Sequence, residues 1–285
     1  MLPNAQFSRF EQIQGIPQIF PRYPSIEFDI MGYRIENLAG SLESLLRDLL
    51  DFVYPPHCGV CEGELRRGDG IVCADCWRSL EAIDSPFCQK CGLPLSTFND
   101  LCSACAVREH IYSFARSYGL FDDLFQKIIH LFKYRRKLSL VGPLSALMTQ
   151  MVEADRRFSC MEALVPVPLH PVRHRVRGYN QSQLLAQNLS RETGRALLLG
   201  ALFRTVNTRS QSKLSLSERV TNVRNAFRVR DPEQVRDKRI LLVDDVLTTG
   251  STVDACSAAL LSAGATQVSV ITVARAVEPE PYRGR

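Results

Sequence analysis

Two sets of residues in this 285-residue chain have the types and spacing that chemistry needs. The first is Ile240-Leu241-Leu242-Val243-Asp244-Asp245-Val246-Leu247-Thr248-Thr249-Gly250-Ser251-Thr252. An apolar run ends in two adjacent carboxylates, and a short hydroxyl-rich turn with one glycine follows. The pattern predicts a buried strand that stops at the acidic pair and turns into a helix. Backbone N–H groups of such a turn converge beside the positive end of the helix dipole, where a phosphate dianion is favoured. Thr248, Thr249, Ser251 and Thr252 add hydroxyl donors, and Gly250 lets the backbone come close. Asp244 and Asp245 repel phosphate, but they can accept hydrogen bonds from sugar hydroxyls or hold a hydrated Mg²⁺. Together these groups describe a site for a ribose 5-phosphate.

The second set is cysteine. Eight of the ten cysteines form four Cys-x-x-Cys pairs: Cys58/Cys61, Cys73/Cys76, Cys88/Cys91 and Cys102/Cys105. The pairs are separated by 11, 11 and 10 residues. Each pair can make a knuckle, and two knuckles make a tetrahedral Cys₄ zinc site, so eight ligands predict two structural zincs. Sequential pairing of the knuckles is the simplest arrangement, and a cross-braced one uses the same ligands. None of the five histidines is assigned to metal. Cys160 and Cys256 stand alone and are expected to be small buried hydrophobes.

A third feature is charge. Residues 170–230 hold twelve Lys and Arg against two acids, +10 within a chain of net charge +5. The segment His170–Ser182 carries Arg173, Arg175 and Arg177 and reads as a loop following a strand. It suits two jobs: gripping pyrophosphate oxygens, or tracking a nucleic-acid backbone with Tyr179 as a stacking surface. Lys213 and Arg219 extend the same arm.

These residues need a scaffold. Strand-like segments at 113–119, 163–168, 197–203, 239–243 and 267–274 alternate with helical ones at 121–132, 141–154, 180–193 and about 251–263. That order predicts an α/β fold with a parallel sheet and helices on both faces, its ligands at the carboxyl ends of strands. Residues 41–53 read as a leading helix, 1–40 as a weakly ordered extension, 41–110 as helix plus zinc module, and 111–280 as the α/β domain. Composition is ordinary for a soluble globular protein, with 45% hydrophobic and 23% charged residues. No apolar stretch reaches membrane-span length and the first 30 residues lack a signal-peptide core, so a cytoplasmic location with reduced thiols is expected.

The Asp244-Asp245 turn is similar to the PRPP-binding loop of type I phosphoribosyltransferases. The wider order also matters. It runs from the Cys-x-x-Cys pairs to Phe132-Lys133-Tyr134-Arg135, Val165-Pro166-Val167-Pro168-Leu169-His170 and Arg175-Val176-Arg177-Gly178-Tyr179-Asn180-Gln181-Ser182. It continues through Gln211-Ser212-Lys213-Leu214-Ser215, Arg219, Asn222-Val223 and Ala226-Phe227 to the acidic turn. Over roughly residues 42–275 this resembles the ComF family, a double zinc ribbon fused to a phosphoribosyltransferase-like domain. The resemblance implies that Asp244 and Asp245 bind ribose hydroxyls with Mg²⁺ nearby, and that Thr248 to Thr252 hold the 5-phosphate. It puts Leu169–Arg177 at the pyrophosphate-loop position, with Arg175 and Arg177 joining the two aspartates as catalytic candidates, and Thr208–Arg219 at a mobile closing loop.

The family is associated with natural transformation, in which imported single-stranded DNA is handled at the cytoplasmic face of the inner membrane. The resemblance therefore implies PRPP, single-stranded DNA and other DNA-uptake proteins such as a helicase as partners, and a cytoplasmic site peripheral to that membrane. The alternative is an active phosphoribosyltransferase of nucleotide metabolism or salvage with no DNA role. The hood that recognises an acceptor base is not identifiable, and both readings rest on the same phosphate-binding residues.

Overall fold

The computed structural model describes residues 55–205 and 226–277. The extension 1–40, the leading helix 41–53 and the stretch 206–225, with Lys213 and Arg219, lie outside them. The strand β6, Arg239–Leu247, organises the rest. Its side chains alternate between two apolar cores, as strand geometry requires. Leu241 and Val243 enter one core and Ile240 and Leu242 the other. A strand buried on both faces belongs inside a parallel sheet covered by helices.

That sheet has the order β1-β7-β6-β2-β3 and every pairing is parallel. Its other strands are β1 (Ala115–Leu120), β2 (Ala163–Pro166), β3 (Ala196–Leu197) and β7 (Gln267–Arg275). In register, Leu242 of β6 lies between Val165 of β2 and Val270 of β7.

The helices that position the site follow from caps and periodicity. Asp122 caps α3 (Asp123–Tyr134) by accepting from Phe125 N at 2.8 Å, and the helix buries Phe125, Ile128, Ile129 and Phe132. Asn180 caps α6 (Gln181–Thr193) in the same way through Ser182 N. With α4 (Val141–Ala154), these helices supply the core that holds Leu241 and Val243. The opposite core is supplied by α7 (Ser251–Ser262), through Val253, Cys256 and Leu260.

Three elements depart from the sequence reading. The strand does not stop at the acidic pair: β6 runs through Asp244 and Asp245 to Leu247, because β7 continues alongside and pairs Asp244 with Thr272 and Val246 with Ala274. The segment read as a loop after β2 contains a helix, α5 (Pro171–Arg177). His170 caps it, Pro171 occupies the first turn where a missing N–H costs nothing, and Gly178 ends it at φ +85°. The single strand expected at 197–203 is split by Gly200 at φ +71° into β3 and β4 (Leu202–Arg204). The latter pairs antiparallel with an unexpected strand, β5 (Phe227–Val229).

The cysteine segments form two ribbons, containing the short helices α1 (Ala74–Arg78) and α2 (Ser103–Val107). The first sits on α3: Lys127 Nζ donates to Val60 O at 3.2 Å, and a side chain added at Gly59 would strike Leu131 at 2.9 Å. The second sits on the edge strand β1, where Ala115 N donates to Lys90 O at 2.7 Å. Buried Arg116 stitches that joint by donating to the carbonyls of Cys88, Gln89 and Ala115. Burial, then nearby Arg157, holds its pKa down to about 10. So small a module has little core of its own, and Val60, Val72 and Leu80 of the first ribbon join the core of α3.

Candidate functional site

The chain leaves β2 and β6 in opposite directions. From β2 it passes through α5 and α6 to β3, and from β6 it passes through α7 to β7 on the other side. Neighbouring strands whose connections part in this way leave a crevice at their carboxyl ends, the usual ligand position in open α/β sheets. Asp244 and Asp245 lie there, beyond Pro166, the last residue of β2 paired to β6.

The acidic pair is held from three sides. Ser182 Oγ donates to Asp244 Oδ1 at 2.7 Å, and Asp245 N donates to the same oxygen at 2.9 Å. Lys133 Nζ of α3 lies 2.7 Å from Asp245 Oδ2. Asp244 is half-buried as a residue, but its carboxyl is enclosed by these partners. Burial, followed by the adjacent Asp245 carboxylate, pushes its pKa up to about 7. Two carboxylates compressed in this way favour a cation or hydroxyl donors that share their charge.

Thr248–Gly250 form the turn that follows. Thr248, Thr249 and Thr252 are exposed and Ser251 is half-buried. Thr249 Oγ1 and Ser251 Oγ are 3.0 Å apart, so both hydroxyls converge on one point. Gly250 has φ +79°, and a Cβ there would lie 3.1 Å from the His110 ring. Glycine is therefore required twice, by conformation and by space. Arg275 Nη1, from the end of β7, donates to the carbonyls of Leu247 and Thr248 and fixes the entry of the turn.

The segment leaving the second ribbon backs this turn. His110 Nδ1 lies 2.7 Å from Asp254 Oδ2 in the first turn of α7, and Ile111 N donates to Asp254 Oδ1 at 2.9 Å. Arg108 Nη2 reaches Ser251 Oγ at 3.4 Å and Asp254 Oδ2 at 3.6 Å. His110 is buried and stacks on Tyr112 with ring centroids 4.8 Å apart.

The cysteines form two all-cysteine clusters, Cys58/Cys61/Cys73/Cys76 and Cys88/Cys91/Cys102/Cys105, so the pairing is sequential. A tetrahedral zinc with Zn–S of about 2.3 Å needs sulfurs about 3.8 Å apart. The Cys58–Cys76 separation is 3.9 Å, and Cys61–Cys73 and Cys91–Cys102 are both 3.8 Å. Both sites fit structural zinc. Of the two lone cysteines, Cys256 is buried as expected, whereas Cys160 is half-buried with its thiol on Arg157 O.

The cations of α5 stand beside the crevice. Arg173 and Arg175 are exposed and Arg177 is half-buried. Partial burial, with Arg204, Arg173 and Arg175 nearby, holds the His170 pKa below its ordinary value, consistent with the neutral imidazole accepting from Val172 N. Tyr179 is not an open stacking platform: its hydroxyl donates to Phe132 O and its ring lies 6.0 Å from that of Phe132. That hydrogen bond and the neighbouring ring leave it half-buried.

Sequence reasoning missed Lys133, Ser182, Arg108, His110, Asp254 and Arg275. Lys133 and Ser182 lie within the Phe132–Arg135 and Arg175–Ser182 strings, whereas the other four act from segments brought in by the fold. Among the described residues no helix is long and apolar enough to cross a membrane.

Comparison with known proteins agrees with this architecture. The double zinc ribbon domain matches residues 49–106 and the phosphoribosyl transferase domain matches residues 139–281. Competence protein F of Haemophilus influenzae is 31% identical over 77% of this chain and 96% of its own length. DNA utilization protein YhgH of Escherichia coli K12 is 34% identical over 78% and 97%, and Competence protein ComFC of Bacillus subtilis is 29% identical over 74% and 87%. With both domains in this order and such relatives along most of its length, the chain belongs to the ComF family.

Proposed function

We propose that this protein binds PRPP, or another ribose 5-phosphate ligand, together with Mg²⁺ in the β2/β6 crevice, and that it handles single-stranded DNA in DNA uptake for transformation. One observation carries the ligand reading: a compressed acidic pair and a convergent hydroxyl turn share the carboxyl end of β6. Thr248 to Thr252 would take the 5-phosphate, and Asp244 and Asp245 the ribose hydroxyls. The aspartates also suit a magnesium ion, which binds through one or two carboxylates, waters and ligand phosphates. Arg175 and Arg177, on the helix that follows β2, would meet a pyrophosphate group.

The DNA reading is supported by the relatives named for competence and DNA utilization, and by the exposed cations of α5. Protein cations that contact phosphates release counterions, so strand binding should weaken steeply with salt. The test is fluorescence anisotropy of a labelled single strand over a salt series, with and without PRPP–Mg²⁺. Strand binding with a steep salt slope is expected, and competition by PRPP–Mg²⁺ would place both ligands on one surface. A protein that ignores strands at low salt, yet transfers phosphoribosyl groups to an acceptor, would reject the DNA reading in favour of an active phosphoribosyltransferase.

A further inference from the structure

The exposed side of α3 carries a groove next to the ligand site, sharing with it only Lys133, whose ammonium turns to Asp245. It encloses about 440 Å³ beside the first ribbon, with Gly59 and Phe121 among its walls and Lys127, His130, Lys133 and Tyr134 along the helix. That is an adequate volume for a nucleotide. Lys127, His130 and Tyr134 are spaced three and four residues apart, so helix geometry places them on one face. Among the described residues, no carboxylate lines the groove.

Three observations say what fits there. Tyr134 is 65% exposed, although it is large and aromatic. The Arg177 guanidinium lies over one face of its ring, 5.3 Å from the centroid, and the tilted His130 ring is 5.0 Å away, yet the side chain keeps that exposure for a base. Arg177 belongs to α5, so this contact makes the groove continuous with the basic helix beside the crevice. Arg136 strengthens the join, since a side chain at Gly178 would come within 3.3 Å of its guanidinium.

Charge gives the direction. Arg135, Arg136, Lys137, Arg173 and Arg175 are exposed. Among the described residues, none of them nor Arg177 has a carboxylate within ion-pair distance. The acids of α3 and its cap, Asp122 and Asp123, stand at its opposite end, and Asp245 is already paired with Lys133. An exposed aromatic ring between unpaired cations, with a nucleotide-sized groove beside it, is the arrangement that binds single strands: cations follow the backbone and the ring takes a base.

We infer that the α3–α5 surface is the single-strand path, with Tyr134 stacking on a base, the groove accepting a neighbouring nucleotide, and Arg135, Arg136, Arg173 and Arg175 on the phosphates. This rests on the DNA reading and assigns it a surface. It also gives the first ribbon a task, because Gly59 and Val60 fasten it to α3 at the wall of the groove.

The test uses the full-length protein and two fluorescent oligonucleotides, an ordinary single strand and an abasic strand of equal length. Tyr134→Ala should bind the ordinary strand about 5- to 150-fold more weakly than the wild type, the range for loss of one base–aromatic stack. Its salt slope should be unchanged, because no phosphate contact is removed. Tyr134→Trp should restore binding, and wild type and Tyr134→Ala should bind the abasic strand alike. A melting curve identical to wild type checks the fold of the variant. If the wild type binds strands and Tyr134→Ala binds them equally well, the path is wrong while the DNA reading stands. If the wild type binds no strand even at low salt, the DNA reading fails and the inference with it.

Discussion

The two zinc ribbons use one ligand pattern and serve different neighbours. The first (Cys58 to Cys76) leans on α3 and forms a wall of the groove beside Tyr134. The second (Cys88 to Cys105) leans on the edge strand β1, and its exit segment grips the start of α7 through Arg108 and His110, which reach Ser251 and Asp254. Their exposure differs as well: Cys61 of the first site is exposed, whereas all four cysteines of the second are buried. The lesson is that a repeated metal module need not have a repeated role, since what it holds in place depends on the surface it packs against.

Breaking each ribbon separately should give the largest effects. Structural zinc in small modules contributes on the order of 10 kcal/mol to folding, so loss of one ligand unfolds the local ribbon. Metal analysis of the wild type should read two zincs per chain, and Cys88→Ser and Cys58→Ser should each read one. Cys88→Ser should also weaken PRPP–Mg²⁺ binding at least about tenfold, a coupling of roughly 1.4 kcal/mol. Cys58→Ser should spare that binding and weaken strand binding instead. Equal losses of both ligands in the two variants would abolish the distinction.

A smaller change isolates the brace from the metal. Asp254→Ala leaves His110 and the Ile111 N–H without their partner in a buried setting. Such orphaned groups cost about 1–3 kcal/mol each, measurable as a lower denaturant midpoint. PRPP–Mg²⁺ binding should fall while both zincs remain.

Asp244 offers a change of opposite sign. Its pKa is raised from the ordinary carboxylate value of about 4 to about 7, so the folded state holds a proton that the unfolded state releases. Its contribution to stability is fully present below about pH 4 and is lost as pH rises towards 7. Asp244→Asn should therefore raise the melting temperature at pH 8 and leave it nearly unchanged at pH 4, while weakening ligand binding. A melting temperature that falls at pH 8 would show that Asp244 is not compressed.

The smallest effect concerns charge at the surface. Arg173→Ala with Arg175→Ala should flatten the salt slope of strand binding by about two, one per phosphate contact. No change in stability is expected, since both side chains are exposed.

The turn from β6 into α7 and the two cysteine clusters were legible in sequence because each is a local string whose geometry is carried by neighbours along the chain. The parallel sheet was legible because β6, β2 and β7 are buried on both faces and read as apolar runs. The α5 helix was hidden because Pro171 signals a break in isolation and a helix start once His170 caps it. The length of β6 was hidden because pairing with β7 overrides two acids of poor strand propensity. Tyr179 looked available because nothing local reveals that Phe132 lies against it. Lys133, 112 residues before Asp245 in the chain, could be placed on it only by the fold.

The central claim is that Asp244 and Asp245 form one face of a PRPP–Mg²⁺ site. Isothermal titration calorimetry of PRPP with Mg²⁺ into the wild type and into Asp244→Asn/Asp245→Asn tests it directly. Saturable one-to-one binding by the wild type is expected, with at least about a hundredfold weakening in the double variant, roughly 2.7 kcal/mol. Equal heats and equal affinity in the two proteins would contradict it and move the ligand elsewhere.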